Sequence, residues 1–268
     1  MRVSIATQPG SPQPNEDWVA ATPTLAVVLD GLSTAGLETG CKHGVPWYVA
    51  HLGGHLIATL ADPTRSLPEG LALALENVAA LHPECDLSNP GTPSATVAIL
   101  REHPDAFGYL VLADSPIVFE GEEGHRVVTD LSVDRVVSDL RAETEKYPTG
   151  SPEHAASVRR MVTAQRQLRN VHGGYWVAAA DPQAAEHTVT GVVPRGDVRA
   201  AAVMSDGVSR LVNEYGMATW EDVFRTLRVD GTQTLIKSIR KVEATDPDGR
   251  RWPRFKTGDD AAVAFCLP

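Results

Sequence analysis

Cysteine is scarce in this sequence of 268 residues, with Cys41, Cys85 and Cys266 as its three positions. An odd number of widely separated cysteines does not form a disulfide framework, so we expect three inert, reduced thiols. Hydrophobic runs are also short, and none reaches the roughly 18 residues of a transmembrane helix. The first residues lack the apolar stretch of a signal peptide. These absences predict a cytoplasmic protein.

Positive charge is also in deficit, because 24 Lys and Arg residues face 34 Asp and Glu residues, a formal net charge of −10. Binding to nucleic acid or to an anionic membrane requires a basic surface, so neither partner is expected. The length fits one large domain or two small ones. Since no linker or repeat divides the chain, we predict one domain over residues 1–268 with a flap or insertion at about 130–175. The oligomeric state stays open.

Hydrophobic periodicity groups the predicted strands together and places the helices in consecutive pairs. The predicted strands are 3–6, 17–21, 24–30, 95–101, 107–113, 117–120, 126–129, 198–204 and 261–267. The predicted helices are 44–61, 66–82, 132–145, 152–170, 220–227 and 232–244. Ser66 followed by Glu69 forms a capping box at the second helix. The strands from 95 to 129 predict an antiparallel meander, and the whole pattern favours α+β layers over alternating βαβ units.

Acidic residues recur where predicted strands begin or end. The positions are Glu16, Asp17, Asp30, Asp114, Asp206, Asp259 and Asp260. Carboxylate oxygens are the ligands that Mg²⁺ and Mn²⁺ prefer, and two such ions about 3.5–4 Å apart activate water for displacement at phosphorus. Taken singly, Asp followed by Gly at 30–31 or 206–207 favours a simple turn over a metal ligand, and only the recurrence of acidic residues at strand ends favours a metal site. The residues alone leave both interpretations open.

Short motifs appear in a definite order along nearly the whole chain. They are Asn15-Glu16-Asp17, VVLDG ending in Asp30-Gly31, Thr92-Pro93-Ser94-Ala95, Ala113-Asp114-Ser115-Pro116, Ser205-Asp206-Gly207, and Asp259-Asp260 before AAVAF. In this order and strand context the sequence resembles the metal-dependent protein phosphatases, the type 2C serine/threonine phosphatases, in their bacterial form.

The resemblance implies an α+β fold, a four-layer αββα sandwich with two central antiparallel sheets flanked by helix pairs. It also implies two, or in many bacterial members three, Mn²⁺ or Mg²⁺ ions. Asp30 would bridge two ions and the Gly31 carbonyl would bind one of them. Asp206 and Asp259 would hold one ion, Asp17 with Glu16 the other, and Asp114 the third. With Asp30 and Asp206 as the catalytic ligands, activated water would hydrolyse phosphoserine or phosphothreonine in a protein substrate without a phospho-enzyme.

Several positions depart from the family pattern. The stretch GSPQP before Asn15 lacks the usual phosphate-binding arginine, and Leu32 replaces the histidine of eukaryotic members. His43 is the nearest histidine, as a proton donor or as a residue at a helix start. Asp260 stands where asparagine is usual, and the following strand favours Asp259 as the ligand. Two alternatives therefore stay open, a phosphatase-like binding or regulatory module and a phosphoesterase for a small metabolite.

Overall fold

The computed structural model describes residues 1–268, which form ten strands and eight α-helices. The strands are β1 (Arg2–Gln8), β2 (Asp17–Ala21), β3 (Leu25–Gly31), β4 (Ala95–Glu102), β5 (Ala106–Leu112), β6 (Ile117–Gly121), β7 (Gly124–Val128), β8 (Val189–Pro194), β9 (Ala200–Met204) and β10 (Ala261–Leu267). The helices are α1 (Val45–Thr59), α2 (Leu67–Ala80), α3 (Ser132–Val136), α4 (Ser138–Thr144), α5 (Pro152–Leu168), α6 (Asp206–Asn213), α7 (Trp220–Val229) and α8 (Thr232–Ala244).

Two five-stranded antiparallel sheets form the centre of the fold. One has the order β1-β10-β9-β6-β7 and the other the order β2-β3-β4-β5-β8. Side chains alternate between the faces of each strand, so each sheet contributes to two hydrophobic layers. On β3, for example, Val27 and Leu29 face α1 and α2, whereas Ala26 and Val28 face the other sheet. The helices α6, α7 and α8 cover the outer face of that second sheet. The predicted αββα sandwich is confirmed.

The capping box at α2 is present as predicted, with Ser66 Oγ accepting from the Glu69 amide and Glu69 bonding back to the amide of Ser66. The predicted four-strand meander is wrong, because β4 and β5 lie in one sheet and β6 and β7 in the other. The chain crosses between the sheets just after β5, where Ala113 has a positive φ of 68°. A short connection looks the same in sequence whether it turns back within one sheet or passes to the next.

Other boundaries also differ from the sequence-based prediction. The predicted helix 132–145 is broken into α3 and α4 at the buried Val137, whose φ of −130° is not helical. The predicted strand 198–204 begins at Ala200, after a short 3-10 turn. Both β8 and α6 were missed. The largely exposed β8 is an edge strand without a clear apolar alternation, and α6 follows β9 after a single residue.

The segment that joins β7 to β8 carries α3, α4 and α5, in the region of the predicted flap. Its arginines are not simply solvated charges. Arg166 is buried and donates to the carbonyl of Glu38 at 2.6 Å, while Arg159 donates to the carbonyl of Ala35 at 3.1 Å. These bonds attach α5 to the loop that follows β3. No helix in the fold combines the length and the apolar character needed to cross a bilayer.

The adjacent glycines Gly53 and Gly54 of α1 provide a matched test of how the helix positions β2. A Cβ at Gly53 would lie 2.4 Å from Cε3 of Trp18, the second residue of β2, whereas a Cβ at Gly54 meets nothing within 4 Å. We expect Gly53→Ala to destabilise the protein by about 1–3 kcal/mol through overpacking. We expect Gly54→Ala to stabilise it by about 0.5–1 kcal/mol through helix propensity. Chemical denaturation of both variants measures this, and equal effects would contradict the packing argument.

Candidate metal centre

The strand-end carboxylates meet at one end of the sandwich, where all of them except the buried Asp17 line a cleft of about 1540 Å³. Asp17 and Asp30 come from one sheet, whereas Asp206 and Asp259 border β9 and β10 of the other. Asp30 follows Val28 on the face of β3 that looks toward the second sheet, and Asp17 alternates in the same way with Val19 of β2. Asp17 and Asp30 therefore face the second sheet, where Asp206 follows β9 and Asp259 precedes β10.

Asp17 and Asp30 are direct cross-strand partners in the antiparallel pairing of β2 with β3. Side chains at such positions have Cβ atoms about 4.5–5.5 Å apart, and like charges there repel. Burial, together with the neighbouring carboxylates, raises the pKa of both groups well above the usual range for aspartate. An arrangement of this kind requires a cation or a bound proton to be stable.

Glycine is required at Gly31 and Gly207 for close packing. A Cβ at Gly31 would lie 2.3 Å from Cγ1 of Val45, and a Cβ at Gly207 would lie 2.0 Å from the carbonyl oxygen of Asp260. Just before Gly207, the buried Ser205 bonds to the backbone of Ala262 through both its amide and its hydroxyl, each at 3.0 Å. This corner places the start of α6, and with it Asp206, against the start of β10.

The adjacent aspartates that precede β10 have different surroundings. The Asp260 carboxylate accepts backbone N–H bonds from Gly10 at 2.8 Å and Glu16 at 2.6 Å, so it organises the loop before β2. The Asp259 carboxylate instead contacts Lys256 Nζ at 2.8 Å and an Arg210 nitrogen at 2.9 Å. Burial alone would raise the pKa of Asp259, but these two cations hold it below its usual range. Asp259 therefore stays ionised in the cleft.

Asp114 and Glu16 complete the acidic rim. Asp114 follows the crossover residue Ala113, and its backbone carbonyl accepts a bond from the Thr129 hydroxyl at 3.2 Å. Burial, with a further contribution from Asp206, raises the pKa of Asp114 to about 8. Burial also raises the pKa of Glu16, although the Ser33 hydroxyl donates to its carboxylate.

Two cations in this site were not predicted from the sequence. Arg210 is buried and bridges Asp206 and Asp259, with a nitrogen–oxygen distance of 2.9 Å to each. Lys256 lies between Asp259 and Glu16. Recognition of α6 would have revealed Arg210, because it stands four residues after Asp206 and thus on the same helix face. No comparable pattern in the sequence indicated that Lys256 belongs to the site.

The donor set fits hard divalent cations. Oδ2 of Asp17 is buried and has no hydrogen-bond partner, which is costly for a carboxylate unless a cation binds it. Arg210 and Lys256 supply fewer positive charges than the surrounding carboxylates supply negative ones. Carboxylate and carbonyl oxygens are the ligands of Mg²⁺ and Mn²⁺, so Asp17, Asp30, Asp206, Asp259 and the Gly31 carbonyl are suitable ligands.

His43 lies apart from these carboxylates. Its ring stacks on Trp47 with a centroid distance of 4.3 Å, and its Nδ1 faces the thiols of Cys41 and Cys85. It does not line the cleft, although the following residue, Gly44, does. The structure thus brings together every predicted site residue except His43.

Comparison with known proteins identifies the family. A sequence model described as protein phosphatase 2C matches residues 11–240. The chain belongs to the protein phosphatase 2C family. No curated protein sequence matches it, so its likeness to individual relatives is structural.

Three solved structures illustrate the shared fold. The PPM Ser-Thr phosphatase MsPP from Mycobacterium smegmatis, in complex with cacodylate, has 16% identity and a TM-score of 0.58, covering 100% of this chain and 98% of that one. The catalytic domain of the serine threonine protein phosphatase PstP, in complex with two manganese ions, has 15% identity and a TM-score of 0.54, covering 99% and 97%. A C. elegans sex determining protein has 14% identity and a TM-score of 0.59, and the match covers 99% of this chain but only 64% of that one.

The raised pKa of Asp114 predicts a pH-dependent stability of the metal-free protein. A carboxyl group with a higher pKa in the folded state binds more protons when folded, so the free energy of unfolding falls as pH rises toward about 8. We expect Asp114→Asn to flatten this decline between about pH 5 and pH 8, by up to about 1.4 kcal/mol per pH unit. Urea denaturation at several pH values measures it. The exposed Asp105→Asn variant is the control, and an equal slope in wild type and Asp114→Asn would contradict the assignment.

We expect the Arg210 guanidinium to supply part of the positive charge that bound metal ions would otherwise supply to Asp206 and Asp259. Arg210→Met removes the buried partner of Asp206 and Asp259, so the metal-free variant should lose about 3–5 kcal/mol of stability. Mn²⁺ should then stabilise the variant more than it stabilises the wild type, because the freed carboxylates bind it. Thermal unfolding with and without Mn²⁺ measures both effects. Arg225→Met, which breaks an exposed pair with Asp222, is the control and should cost less than about 1 kcal/mol. If Mn²⁺ raised the Tm of Arg210→Met by the same amount as that of the wild type, Arg210 would not be supplying part of the metal charge.

Proposed function

We propose that this chain hydrolyses phosphoserine and phosphothreonine in proteins with the help of bound Mn²⁺ or Mg²⁺. The observation that carries the proposal is the opposed pair of the buried Asp17 and the half-buried Asp30, whose charge only a cation or a proton can balance. Membership of the protein phosphatase 2C family supports the reaction class. The two manganese ions named for the PstP catalytic domain support the choice of metal.

Each side chain has a role that its position suits. Asp30 and the Gly31 carbonyl, together with Asp206 and Asp259, would hold one ion. Asp17, with Glu16 next to it and Asp30 opposite, would hold another, and Asp114 would hold a third. When bound, such ions activate water as a nucleophile at neutral pH and stabilise the charge that develops on phosphoryl oxygens. Asp260 keeps its backbone bonds to Gly10 and Glu16 and so fixes the loop that carries Asp17.

Arg210 supplies the phosphate donors that the GSPQP stretch lacks. Its Nη1 group is buried and has no hydrogen-bond partner, while Nη2 is held by the two aspartates and Nε lies 3.6 Å from Oε1 of Glu214. An arginine fixed in this way offers its Nη1 to a phosphate without losing side-chain entropy on binding. The residue lines the cleft, so a phosphoryl group placed between the carboxylates reaches it.

The second candidate is a phosphatase-like binding module without turnover, and Arg210 is also the observation that favours it. Because Asp206 and Asp259 are both paired with Arg210, fewer carboxylates are free to hold a pair of ions. Metal binding and turnover must therefore be measured separately. A phosphoesterase for a small metabolite is distinguished by comparing substrates in the same assay.

The decisive assay measures hydrolysis of p-nitrophenyl phosphate, a phosphothreonine peptide and small phosphometabolites with and without Mn²⁺. We expect Mn²⁺-dependent turnover that Asp30→Asn and Asp206→Asn each reduce by roughly a thousandfold, since the metal contributes several kcal/mol to transition-state stabilisation. Asp181→Asn, which alters a distant helix cap, is the control and should keep full activity.

Three outcomes would change the assignment. Unchanged turnover in Asp30→Asn and Asp206→Asn would contradict the metal centre. Mn²⁺ binding by calorimetry without turnover would establish the binding module. A metabolite hydrolysed far faster than the phosphopeptide would replace the protein substrate.

A further inference from the structure

A second cluster of metal-ligating side chains lies outside the carboxylate site, where two loops meet beside the α1–α2 pair. One loop covers residues 40–44 before α1 and the other covers residues 81–86 after α2. The Asp86 amide donates to the Gly40 carbonyl at 2.9 Å, and Lys42 forms an ion pair with Glu84 across the same gap. Residues far apart in sequence are thus held side by side.

Each loop contributes one cysteine and one histidine. Sγ of Cys41 lies 3.6 Å from Nδ1 of His43, and Sγ of Cys85 lies 3.7 Å from that same nitrogen. The ligand atoms of Cys41, His43 and His82 all lie within 4.8 Å of one another. Cys85 lies outside this group of three and borders it through His43. The four residues are spaced along the chain as Cys-x-His and His-x-x-Cys.

His82 is oriented as a ligand would be. Its side chain is buried, with an exposure of 4%, and its Nδ1 lies 2.8 Å from the carbonyl oxygen of Val78. A nitrogen at that distance from a carbonyl carries the proton, so Nε2 of the neutral ring holds a lone pair. Nε2 is buried and has no hydrogen-bond partner. Metal-bound histidines show this arrangement, in which the second ring nitrogen donates to a backbone carbonyl.

Ordinary packing accounts for part of this cluster but not for all of it. The rings of His43, Trp47 and His51 stack on one another, which is a sufficient reason for His43 to lie where it does. Packing does not satisfy the buried Nε2 of His82, and an unsatisfied buried polar atom costs about 1–3 kcal/mol. It also does not explain why two thiols face one imidazole nitrogen, with the His43 amide 3.3 Å from Sγ of Cys41 as well.

We propose that Cys41, His43, His82 and Cys85 bind a structural zinc ion. Bond lengths of about 2.3 Å to sulfur and 2.0–2.1 Å to nitrogen give a sulfur–nitrogen separation of about 3.6 Å at a tetrahedral ion. The separations of the two sulfur atoms from Nδ1 of His43, 3.6 and 3.7 Å, agree with it. Thiolate and imidazole ligands select zinc, whereas Mn²⁺ and Mg²⁺ prefer the oxygens of the carboxylate site. The ligands would be both Sγ atoms, Nδ1 of His43 and Nε2 of His82.

The position of this ion assigns it a structural role. The segment between Gly31 and Val45 borders the carboxylate cleft, and Thr39 and Gly44 line it. Its middle is attached to α5 through Arg159 and Arg166, and its last turn is joined to the loop after α2 by the Asp86–Gly40 hydrogen bond and the Lys42–Glu84 ion pair. Four protein ligands leave no open position for a substrate, so the ion fastens this segment and takes no part in hydrolysis.

Metal content tests the proposal directly. The untagged protein, purified with a reductant, is analysed by elemental mass spectrometry after dialysis against a weak chelator. We expect one zinc ion per chain in the wild type and in Asp30→Asn, because the carboxylate site does not hold this ion. We expect its loss in Cys41→Ser and Cys85→Ser, whereas Cys266→Ser should keep it, since Cys266 is buried in β10 away from the cluster.

Cobalt substitution identifies the ligands. Co²⁺ in the wild type should show tetrahedral ligand-field bands and a thiolate-to-cobalt charge-transfer band, and this band should be absent from the two serine variants. Cys85→His supplies a replacement ligand, so it should retain zinc where folded Cys85→Ser does not. If the serine variants fail to fold, the cobalt spectrum of the wild type decides the question.

Three results would overturn the zinc site. One is a folded wild type that retains no zinc after zinc is supplied and shows no charge-transfer band with cobalt. Another is an unchanged zinc content in folded Cys41→Ser and Cys85→Ser. The third is a Cys41–Cys85 disulfide, detected by alkylation and peptide mass spectrometry in the freshly purified protein, because oxidised sulfurs do not bind zinc.

Discussion

Carboxylates crowd the end of the sandwich where the two sheets meet, and their mutual repulsion constrains everything around them. Asp17 and Asp30 face each other across β2 and β3, while Asp206 and Asp259 approach from the other sheet. Burial weakens the solvent screening that makes such proximity harmless at a surface. The fold therefore depends at this point on positive charge, from protons, from side chains or from bound ions.

The chain supplies part of that charge itself. Arg210 binds one aspartate from each side of the α6–β10 corner, and Lys256 adds a second cation beside Asp259. The neutralisation is incomplete, since Oδ2 of Asp17 has no partner. It is also unevenly distributed, because Arg210 and Lys256 pair with Asp206, Asp259 and Glu16, whereas neither forms an ion pair with Asp17 or Asp30. The part of the site around Asp17 and Asp30, where negative charge is not balanced by a side chain, therefore has the greatest need of a divalent ion.

The segment between Gly31 and Val45 joins two clusters of side chains with different ligand atoms. Gly31 begins the segment at the oxygen-rich site, and His43 ends it among sulfur and nitrogen atoms close to the start of α1. Hard and soft ligands select different metals, so the two clusters need not compete for the same ion. A rigid end to this segment would help to keep Gly31 and Val45 in the close packing that excludes any larger residue at position 31.

The sequence by itself determined the layer architecture and most of the acidic site, because strand alternation and strand ends can be read from local pattern and the family motifs keep their order. It did not determine which sheet received β6 and β7, since a crossover and a turn have similar lengths. Arg210 stayed hidden because α6 was missed, and Lys256 lies in an irregular loop. The approach of Cys41 and His43 to His82 and Cys85 was decided only by tertiary structure. Nothing local indicates that residues some forty positions apart share one volume until α1 packs on α2.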